Sequence, residues 1–149
     1  MERKKILPPT CLAGAIIVII ALHLLFPIIT LIYFPWNLIG IIPLLIGIVL
    51  NLVADRVFKK IGTTVKPYEE SKDLVTDGIF RISRHPMYLG MVLILLGISI
   101  LLGSVTPFIM VATFVVIMET VFIRVEEQMM EETFGLEYEE YKQKVRKWI

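Results

Sequence analysis

The sequence predicts an all-α membrane protein with about four transmembrane helices, arranged in two hairpins and followed by an amphipathic helical segment at the carboxyl terminus. Of the 149 residues, 56% are hydrophobic and only 19% are charged. The mean hydropathy of +0.78 is far above that of an ordinary soluble domain. The apolar residues form four long runs, with the charged residues between and after them. These observations exclude a disordered protein and an ordinary soluble protein.

The first two apolar runs predict a first hairpin within residues 6–57. In residues 11–34 only His23 and Thr30 are clearly polar, and this run is long enough to cross a bilayer core of about 30 Å as a helix. The run is too long for a signal peptide and no small-residue cleavage site ends it, so we expect a retained span. A proline turn with aromatic neighbours leads into residues 38–53, which return across the membrane.

The last two apolar runs predict a second hairpin within residues 86–123. Residues 87–102 and 105–123 are separated by a turn at Gly103 and Ser104. The first of these two runs is short, so we expect it either to cross the membrane with little tilt or to enter it shallowly.

Two polar segments complete a single membrane domain over residues 1–149. Residues 58–85 contain Gly62, Pro67 and Gly78, which predict a structured loop instead of a long helix. The tail, residues 124–149, is strongly charged, and its apolar residues recur at three- and four-residue spacing. This pattern, interrupted by a glycine, predicts two short amphipathic helices at the membrane surface. The apolar residues of the pattern are Met130, Phe134, Tyr138, Tyr141, Val145 and Trp148, and the glycine is Gly135.

The positive residues predict the orientation of the chain. Every Lys and Arg lies at the amino terminus, in residues 55–84 or in the tail, and none lies in the turns at 33–37 and 103–106. We therefore expect both termini and the long loop to face the cytoplasm. All polar groups suited to chemistry are then at one membrane surface.

Overall charge and cysteine content argue against nucleic-acid binding, a disulfide and a metal site. The 15 Lys and Arg residues nearly balance the 14 Asp and Glu residues, and the net charge of +1 gives no reason to expect nucleic acid as a partner. Cys11 is the single cysteine and has no companions at metal-ligand spacing, so we expect neither a disulfide nor a metal site. We interpret His23 and Asn51 as interhelical hydrogen-bonding groups.

The first candidate site is the basic segment that leads into the third apolar run. Pro86 suits the first turn of a helix and favours an extended conformation at His85. Arg84 and His85 would then lie beside the free amides of a helix amino terminus, which attract a carboxylate or a phosphate. The alternative is that the arginines anchor the chain at the membrane surface, with His85 as a helix cap and Tyr88 as an interfacial aromatic residue.

The second candidate site lies where the fourth run leaves the membrane. Glu119 precedes Glu126 by seven residues, so the two are expected on one helical face. A carboxylate within an apolar run is costly unless it is paired or exposed to water, which makes Glu119 a functional candidate. The alternative for Glu126 and Glu127 is a solvated charged face.

Together the two segments resemble the isoprenylcysteine carboxyl methyltransferase and phospholipid methyltransferase superfamily of integral-membrane enzymes. The likeness covers roughly the last 90 residues in order and spacing, whereas the first hairpin is similar only in being hydrophobic. It is carried by residues 62–67, residues 74–78, Arg84-His85-Pro86-Met87-Tyr88-Leu89-Gly90, Val125-Glu126-Glu127 and Phe134-Gly135-Leu136-Glu137-Tyr138-Glu139-Glu140-Tyr141.

The resemblance implies that S-adenosylmethionine binds at the cytoplasmic ends of the last spans. This molecule carries a carboxylate, an ammonium and a sulfonium, so its site needs cationic donors, an anion and aromatic surface. The expected cofactor-binding residues are Arg84, His85, Pro86, Tyr88, Leu89, Gly90, Glu126, Glu127, Tyr138 and Tyr141. Methyl transfer is a direct displacement that depends mainly on alignment, so no metal is expected.

The resemblance also implies a lipophilic or lipidated acceptor that enters sideways from among the membrane lipids. A carboxylate acceptor would need Arg124 or another cation to orient it, and an amine acceptor would need a base such as Glu119 or Glu126. Arg124, Glu119 and Glu126 are therefore the expected catalytic residues. Methylation of an isoprenylcysteine carboxylate is the preferred interpretation because the tail most resembles that branch, and a phospholipid amine or a small thiol remains an alternative.

Two other classes of protein are alternatives to a methyltransferase. Membrane sterol reductases contain a similar Arg-His-Pro-x-Tyr element that binds a nicotinamide cofactor, but Glu126 and Glu127 would repel the phosphates of NADPH. A proton-coupled exporter built on Glu119 would also fit four spans. That class leaves the segment from Arg84 to Gly90 unexplained.

Overall fold

The computed structural model describes residues 7–61 and 73–149, which are almost entirely helical. This confirms the predicted all-α class. Within these residues the only β pairing is an isolated bridge between Thr30 and Ser104. The six helices are α1 Pro8–Leu25, α2 Ile41–Ile61, α3 Pro86–Leu102, α4 Thr106–Ile117, α5 Arg124–Phe134 and α6 Leu136–Lys144. Short 3-10 turns at Trp36–Gly40 and Gly78–Arg81 precede α2 and α3.

Within residues 7–61 and 73–149, three helices are long and apolar enough to cross a membrane, and a fourth is apolar but shorter. The long helices are Pro8–Leu25, Trp36–Lys60 and Thr106–Phe134, and the shorter one is α3. These four helices correspond to the four apolar runs of the sequence. The chain is therefore an integral membrane protein.

The first helix ends earlier than the sequence predicts. Residues 11–34 were expected to be one helix, but α1 ends at Leu25 and Phe26 has left the helical region at φ −136°. The reason is Pro27, which lacks an amide donor and disfavours the α conformation in the residue before it. The freed backbone instead pairs with the turn between α3 and α4, since Leu31 donates to the carbonyl oxygen of Gly103 at 2.8 Å.

The fourth apolar run continues further than expected. The helix does not stop at residue 123, because α4 continues through a π-helical turn, Met118–Ile123, into α5. Its 29 residues from Thr106 to Phe134 extend about 43 Å, which is longer than a bilayer core of about 30 Å. Glu126 lies 20 residues after Thr106, about 30 Å along the helix. The paired glutamates therefore lie about one bilayer-core thickness from Thr106, as expected for groups at a membrane surface.

The tail forms two short helices, as the sequence predicts. α5 ends at Phe134 and α6 begins at Leu136, and Gly135 between them has a positive φ of 50°. α6 packs against the end of α2 through an apolar cluster that is separate from the core between α1, α3 and α4. Its buried members are Ala54, Phe80, Tyr138, Tyr141 and Val145.

α2 and α3 approach each other most closely, through facing glycines. A Cβ added to Gly40 would overlap the carbonyl oxygen of Gly97, and one added to Gly47 would overlap that of Gly90. Gly40 ends the 3-10 turn that leads directly into α2. It lies seven residues before Gly47, as Gly90 lies seven residues before Gly97, so the contacts recur after about two turns of an antiparallel pair. Small residues permit such backbone contact between membrane helices. α1 packs on the other side, against α3 and α4.

The two polar residues of the first spans are satisfied in different ways. His23 Nδ1 lies 2.8 Å from Ser104 Oγ and so links α1 to the α3–α4 turn, as expected. Asn51 differs from the prediction of an interhelical hydrogen bond, because it donates to the carbonyl oxygen of Gly47 in its own helix. Its side chain also lies against Gly90 of α3, which leaves no room for a larger residue there.

We predict that Gly47→Ala destabilises the fold, because its Cβ requires α2 and α3 to separate. The expected loss is about 1–3 kcal/mol of unfolding free energy, measured by thermal unfolding in detergent micelles. Gly14→Ala in α1 is the matched control, since a Cβ at Gly14 meets nothing within 4 Å. Equal unfolding temperatures for the two variants would contradict the close approach of α2 and α3.

Candidate functional site

The start of α3 is held in place by the carboxyl-terminal tail. The Arg84 amide donates to the carbonyl oxygen of Arg146 at 3.1 Å. Ser83 Oγ donates to the carbonyl oxygen of Lys147 at 3.1 Å and accepts from the His85 amide at 3.2 Å. Pro86 occupies the first turn of α3, as predicted. The segment that carries Arg84 and His85 therefore has a fixed backbone.

Three basic side chains surround the Glu127 carboxylate, whose side chain is 12% exposed. Arg84 Nη2 lies 2.9 Å and His85 Nε2 lies 3.3 Å from Glu127 Oε1. Lys147 Nζ lies 3.1 Å from the other oxygen, Oε2. Glu127 thus joins the start of α3 to α5 and to the tail.

Glu126 lies beside this cluster with one oxygen free for a ligand. The Tyr88 hydroxyl hydrogen bonds to the Glu126 carboxylate, and His85 Nδ1 lies 3.8 Å from Glu126 Oε2. Among residues 7–61 and 73–149, this buried Oε2 has no hydrogen-bond partner. A buried polar atom without a partner costs free energy, which a bound ligand would recover.

Arg84 is also incompletely satisfied. Its side chain is only 8% exposed. Nη2 binds Glu127, whereas Nε and Nη1 are buried and have no hydrogen-bond partner within the described part of the chain. Nε and Nη1 lie on different edges of the guanidinium, so each is a separate charged donor for an oxygen of an anionic ligand.

These groups face a cavity of about 250 Å³. Its polar wall contains Arg84, His85 and Glu126, and the rest is mainly apolar side chains from the start of α1, from α2 and from α3. A smaller cavity of about 40 Å³ shares the same three residues and extends toward Tyr138 and Tyr141. The other residues of the larger cavity are Leu7, Pro8, Pro9, Asp55, Phe58, Phe80, Pro86, Met87, Tyr88 and Met91.

The two tyrosines of α6 remain protonated at neutral pH. Burial raises the pKa of Tyr141 to about 12, and its hydroxyl donates to the carbonyl oxygen of Phe80 at 2.5 Å. Burial also raises the pKa of Tyr138 well above its ordinary value, and the Glu127 charge adds to this effect. Tyr138 therefore offers the smaller cavity an aromatic ring and a neutral hydroxyl.

Most of the sequence-predicted residues meet around these two cavities. Arg84, His85, Pro86, Tyr88 and Glu126 line the larger cavity. Tyr138 and Tyr141 line the smaller one. Glu127 lines neither cavity but contacts Arg84 and His85, which do.

The other predicted residues lie elsewhere. Leu89 and Gly90 line neither cavity, and Gly90 contacts α2. Arg124 is exposed and lines neither cavity. Glu119 also lines neither cavity and instead binds Lys147 at 2.7 Å.

The π turn explains why Glu119 and Glu126 do not share a contact. A seven-residue spacing places two residues on one face of a regular α-helix. The π turn Met118–Ile123 inserts an extra residue into that spacing. As a result Lys147 joins Glu119 to Glu127, eight residues on, and Glu126 faces the cavity.

Sequence reasoning missed several residues of the site. Asp55 and Phe58 of α2 line the larger cavity, and they continue the helical face marked by Gly47 and Asn51, which is a signal in the sequence. Lys147 had no such signal, since its contacts depend on how the tail folds back. The predicted stretch 62–67 lies outside the described residues.

Apolar helices with a buried charged cluster beside a cavity define a small membrane protein with a candidate ligand site at the helix ends. Comparison with known proteins specifies this class further. A sequence model described as phospholipid methyltransferase matches residues 36–137. The chain therefore belongs to the phospholipid methyltransferase family.

Individual relatives agree with this family. A probable protein-S-isoprenylcysteine O-methyltransferase of Oryza sativa subsp. japonica is 33% identical over 117 residues, covering 76% of this chain and 60% of the rice protein. Protein-S-isoprenylcysteine O-methyltransferase A of Arabidopsis thaliana is 36% identical over 80 residues, covering 52% of this chain and 40% of that protein. The chain thus spans 60% or less of the length of these relatives.

A solved structure shares the fold. The eukaryotic intramembrane Ras methyltransferase, an isoprenylcysteine carboxyl methyltransferase, superimposes with a TM-score of 0.65 and 25% sequence identity. The similarity covers 94% of this chain and 51% of that one. The described helices therefore correspond to about half of the larger enzyme.

Proposed function

We propose that this chain is an S-adenosylmethionine-dependent methyltransferase that methylates a lipophilic acceptor, of the isoprenylcysteine carboxyl O-methyltransferase type. The observation that carries the proposal is the pair of free donors on buried Arg84 beside the free oxygen of Glu126, both at one cavity. Membership of the phospholipid methyltransferase family and the names of the relatives support the same reaction class.

The residues present fit S-adenosylmethionine. Arg84 would donate to its carboxylate from one of its free nitrogens, Nε or Nη1, and Glu126 would receive its ammonium or its ribose hydroxyls. Tyr88 and Tyr138 supply aromatic surface suited to the adenine or the sulfonium. When bound, this cofactor would supply an electrophilic methyl group. Its positively charged sulfur is a good leaving group, so an acceptor can attack the methyl carbon directly.

The apolar part of the larger cavity suits the lipid chain of an acceptor. Pro8, Phe58 and Met91 form walls that would bury hydrocarbon. Since α1 and α2 carry many exposed apolar residues that would face lipid, we infer that the acceptor enters from the bilayer. The clustering of Lys and Arg at this end of the helices supports a cytoplasmic position for both termini.

This chain's own residues would act by binding, orientation and exclusion of water. A carboxylate acceptor needs no base, and His85 would orient it, since Arg84 would bind the cofactor. Arg124 is exposed and Glu119 is engaged by Lys147, so neither has a catalytic role in this proposal. The packed tail and the tyrosines of α6 would keep water from the reacting groups.

Methylation of a phospholipid amine is the second candidate function. It is favoured by the free carboxylate oxygen of Glu126, which faces the cavity and would accept a proton from an amine. The family description names the same lipid class.

We predict that Arg84→Gln weakens binding of S-adenosylhomocysteine by about tenfold to a hundredfold, because charge-assisted hydrogen bonds to the carboxylate are lost. Isothermal titration calorimetry of the detergent-solubilised protein measures this. Arg124→Gln is the matched control, and its affinity should stay within about twofold of the wild type, as is usual for an exposed residue. Binding of NADPH but not of S-adenosylhomocysteine would overturn the proposed function in favour of a reductase.

We predict that the methylated product is an ester. The purified protein is incubated with methyl-labelled S-adenosylmethionine and either an N-acetyl-S-prenylcysteine or vesicles containing phosphatidylethanolamine. A carboxyl methyl ester releases volatile labelled methanol in alkali, whereas an N-methyl group is stable. Label that resists alkali and stays with the phospholipid would contradict the first candidate function and support the second.

A further inference from the structure

Lys147 enters the charged cluster from the tail, although it lines neither cavity. Its Nζ lies 2.7 Å from Glu119 Oε1 and 3.1 Å from Glu127 Oε2. The side chain is 28% exposed, so both contacts are partly shielded from water. Lys147 therefore joins a carboxylate of the π turn to the carboxylate that holds Arg84.

The backbone around Lys147 is fixed on both sides. The carbonyl oxygens of Arg146 and Lys147 accept hydrogen bonds from Arg84 and Ser83, respectively. Trp148 packs against the apolar core formed by α1, α3 and α4. The hydrogen bonds from Ser83 and Arg84 therefore fix the part of the tail from which the Lys147 ammonium contacts Glu127.

The charge balance of the cluster depends on Lys147. Three carboxylates, those of Glu119, Glu126 and Glu127, lie close to two permanent cations, Arg84 and Lys147. Without Lys147, Glu127 Oε2 loses this partner, and Glu119 loses the partner of Oε1 while its Oε2 is already buried without one. Uncompensated carboxylates in a shielded site repel each other and move toward any remaining cation.

Among the described residues, the remaining permanent cation that contacts Glu127 is Arg84, which lies there beside the His85 ring. Its Nη2 already binds Glu127 Oε1. If Glu127 turned to satisfy its second oxygen, it would engage the Nε or Nη1 atoms that otherwise face a ligand. Lys147 prevents this by holding Oε2. Burial alone would lower the pKa of Lys147, but its hydrogen bonds to Glu119 and Glu127 raise that pKa above the ordinary value, so the ammonium stays charged.

We propose that Lys147 is a positioning residue for the cofactor site: it holds the Glu127 carboxylate so that Arg84 keeps two donors free for the ligand. The proposal rests on the proposed function, since the ligand is the carboxylate of S-adenosylmethionine. It concerns cofactor affinity more than the acceptor, because Lys147 does not touch the apolar cavity wall.

The test compares S-adenosylhomocysteine affinity in the full chain for the wild type and four variants. Lys147→Met and Lys147→Gln should weaken binding by about tenfold or more, because a buried charge loses its partner. Lys147→Arg keeps the charge and should restore affinity to within about threefold of the wild type. Lys144→Met is the matched control, since Lys144 is exposed and pairs with Glu140 of the same helix.

A second readout separates positioning from general support of the fold. With a prenylcysteine acceptor, Lys147→Gln should raise the KM for S-adenosylmethionine about tenfold while the acceptor KM changes less than about threefold. Loss of fold would instead lower the active fraction and leave both KM values unchanged.

The outcomes identify which claim fails. If the wild type binds no S-adenosylhomocysteine, the proposed function itself fails, and the role of Lys147 fails with it. If the wild type binds and both folded uncharged variants bind equally well, the positioning role is overturned while the proposed function stands. If Lys147→Met does not fold, equal affinities of Lys147→Gln and Lys147→Arg overturn the role in the same way.

Discussion

The Glu127 carboxylate, held between Arg84, His85 and Lys147, is the interaction on which the site depends. It ties together the start of α3, the α5 extension and the tail, which are far apart in the chain. Because Glu127 occupies only one nitrogen of Arg84, two others remain free at the cavity. A buried ion pair of this kind adds little to stability, so its role is better understood as orientation of the groups around it.

The helix packing serves the same arrangement. Facing glycines bring α2 and α3 into backbone contact, which places Asp55 and Phe58 beside the start of α3. The π turn shifts the register of α5, so that Glu126 faces the cavity while Glu127 faces the tail. Adjacent glutamates thereby acquire different surroundings. The larger cavity has a charged wall and apolar walls, which matches a reaction between a polar cofactor and a lipid.

The sequence was informative wherever local chemistry decides structure. The apolar runs predicted the helices, Pro86 predicted the start of α3, and Gly135 predicted the break before α6. Pro27 is a local signal in the sequence for the end of α1 at Leu25. The convergence of Arg84 with Glu127 followed from the family resemblance. The π turn and the contacts of Lys147 were not predictable, because they depend on tertiary packing. The exposure of Arg124 agrees with its place on a helical wheel, where it lies well away from Glu126.

The central claim is that Arg84 uses a nitrogen left free by Glu127 to bind the carboxylate of S-adenosylmethionine. The most direct measurement is an experimental structure of the protein with S-adenosylhomocysteine bound in a lipid-like environment. The account predicts that Nε or Nη1 of Arg84 lies about 3 Å from a ligand carboxylate oxygen, with Glu127 still between Nη2 and Lys147. A ligand bound away from Arg84, or a guanidinium whose free nitrogens turn to Glu127 instead, would contradict it.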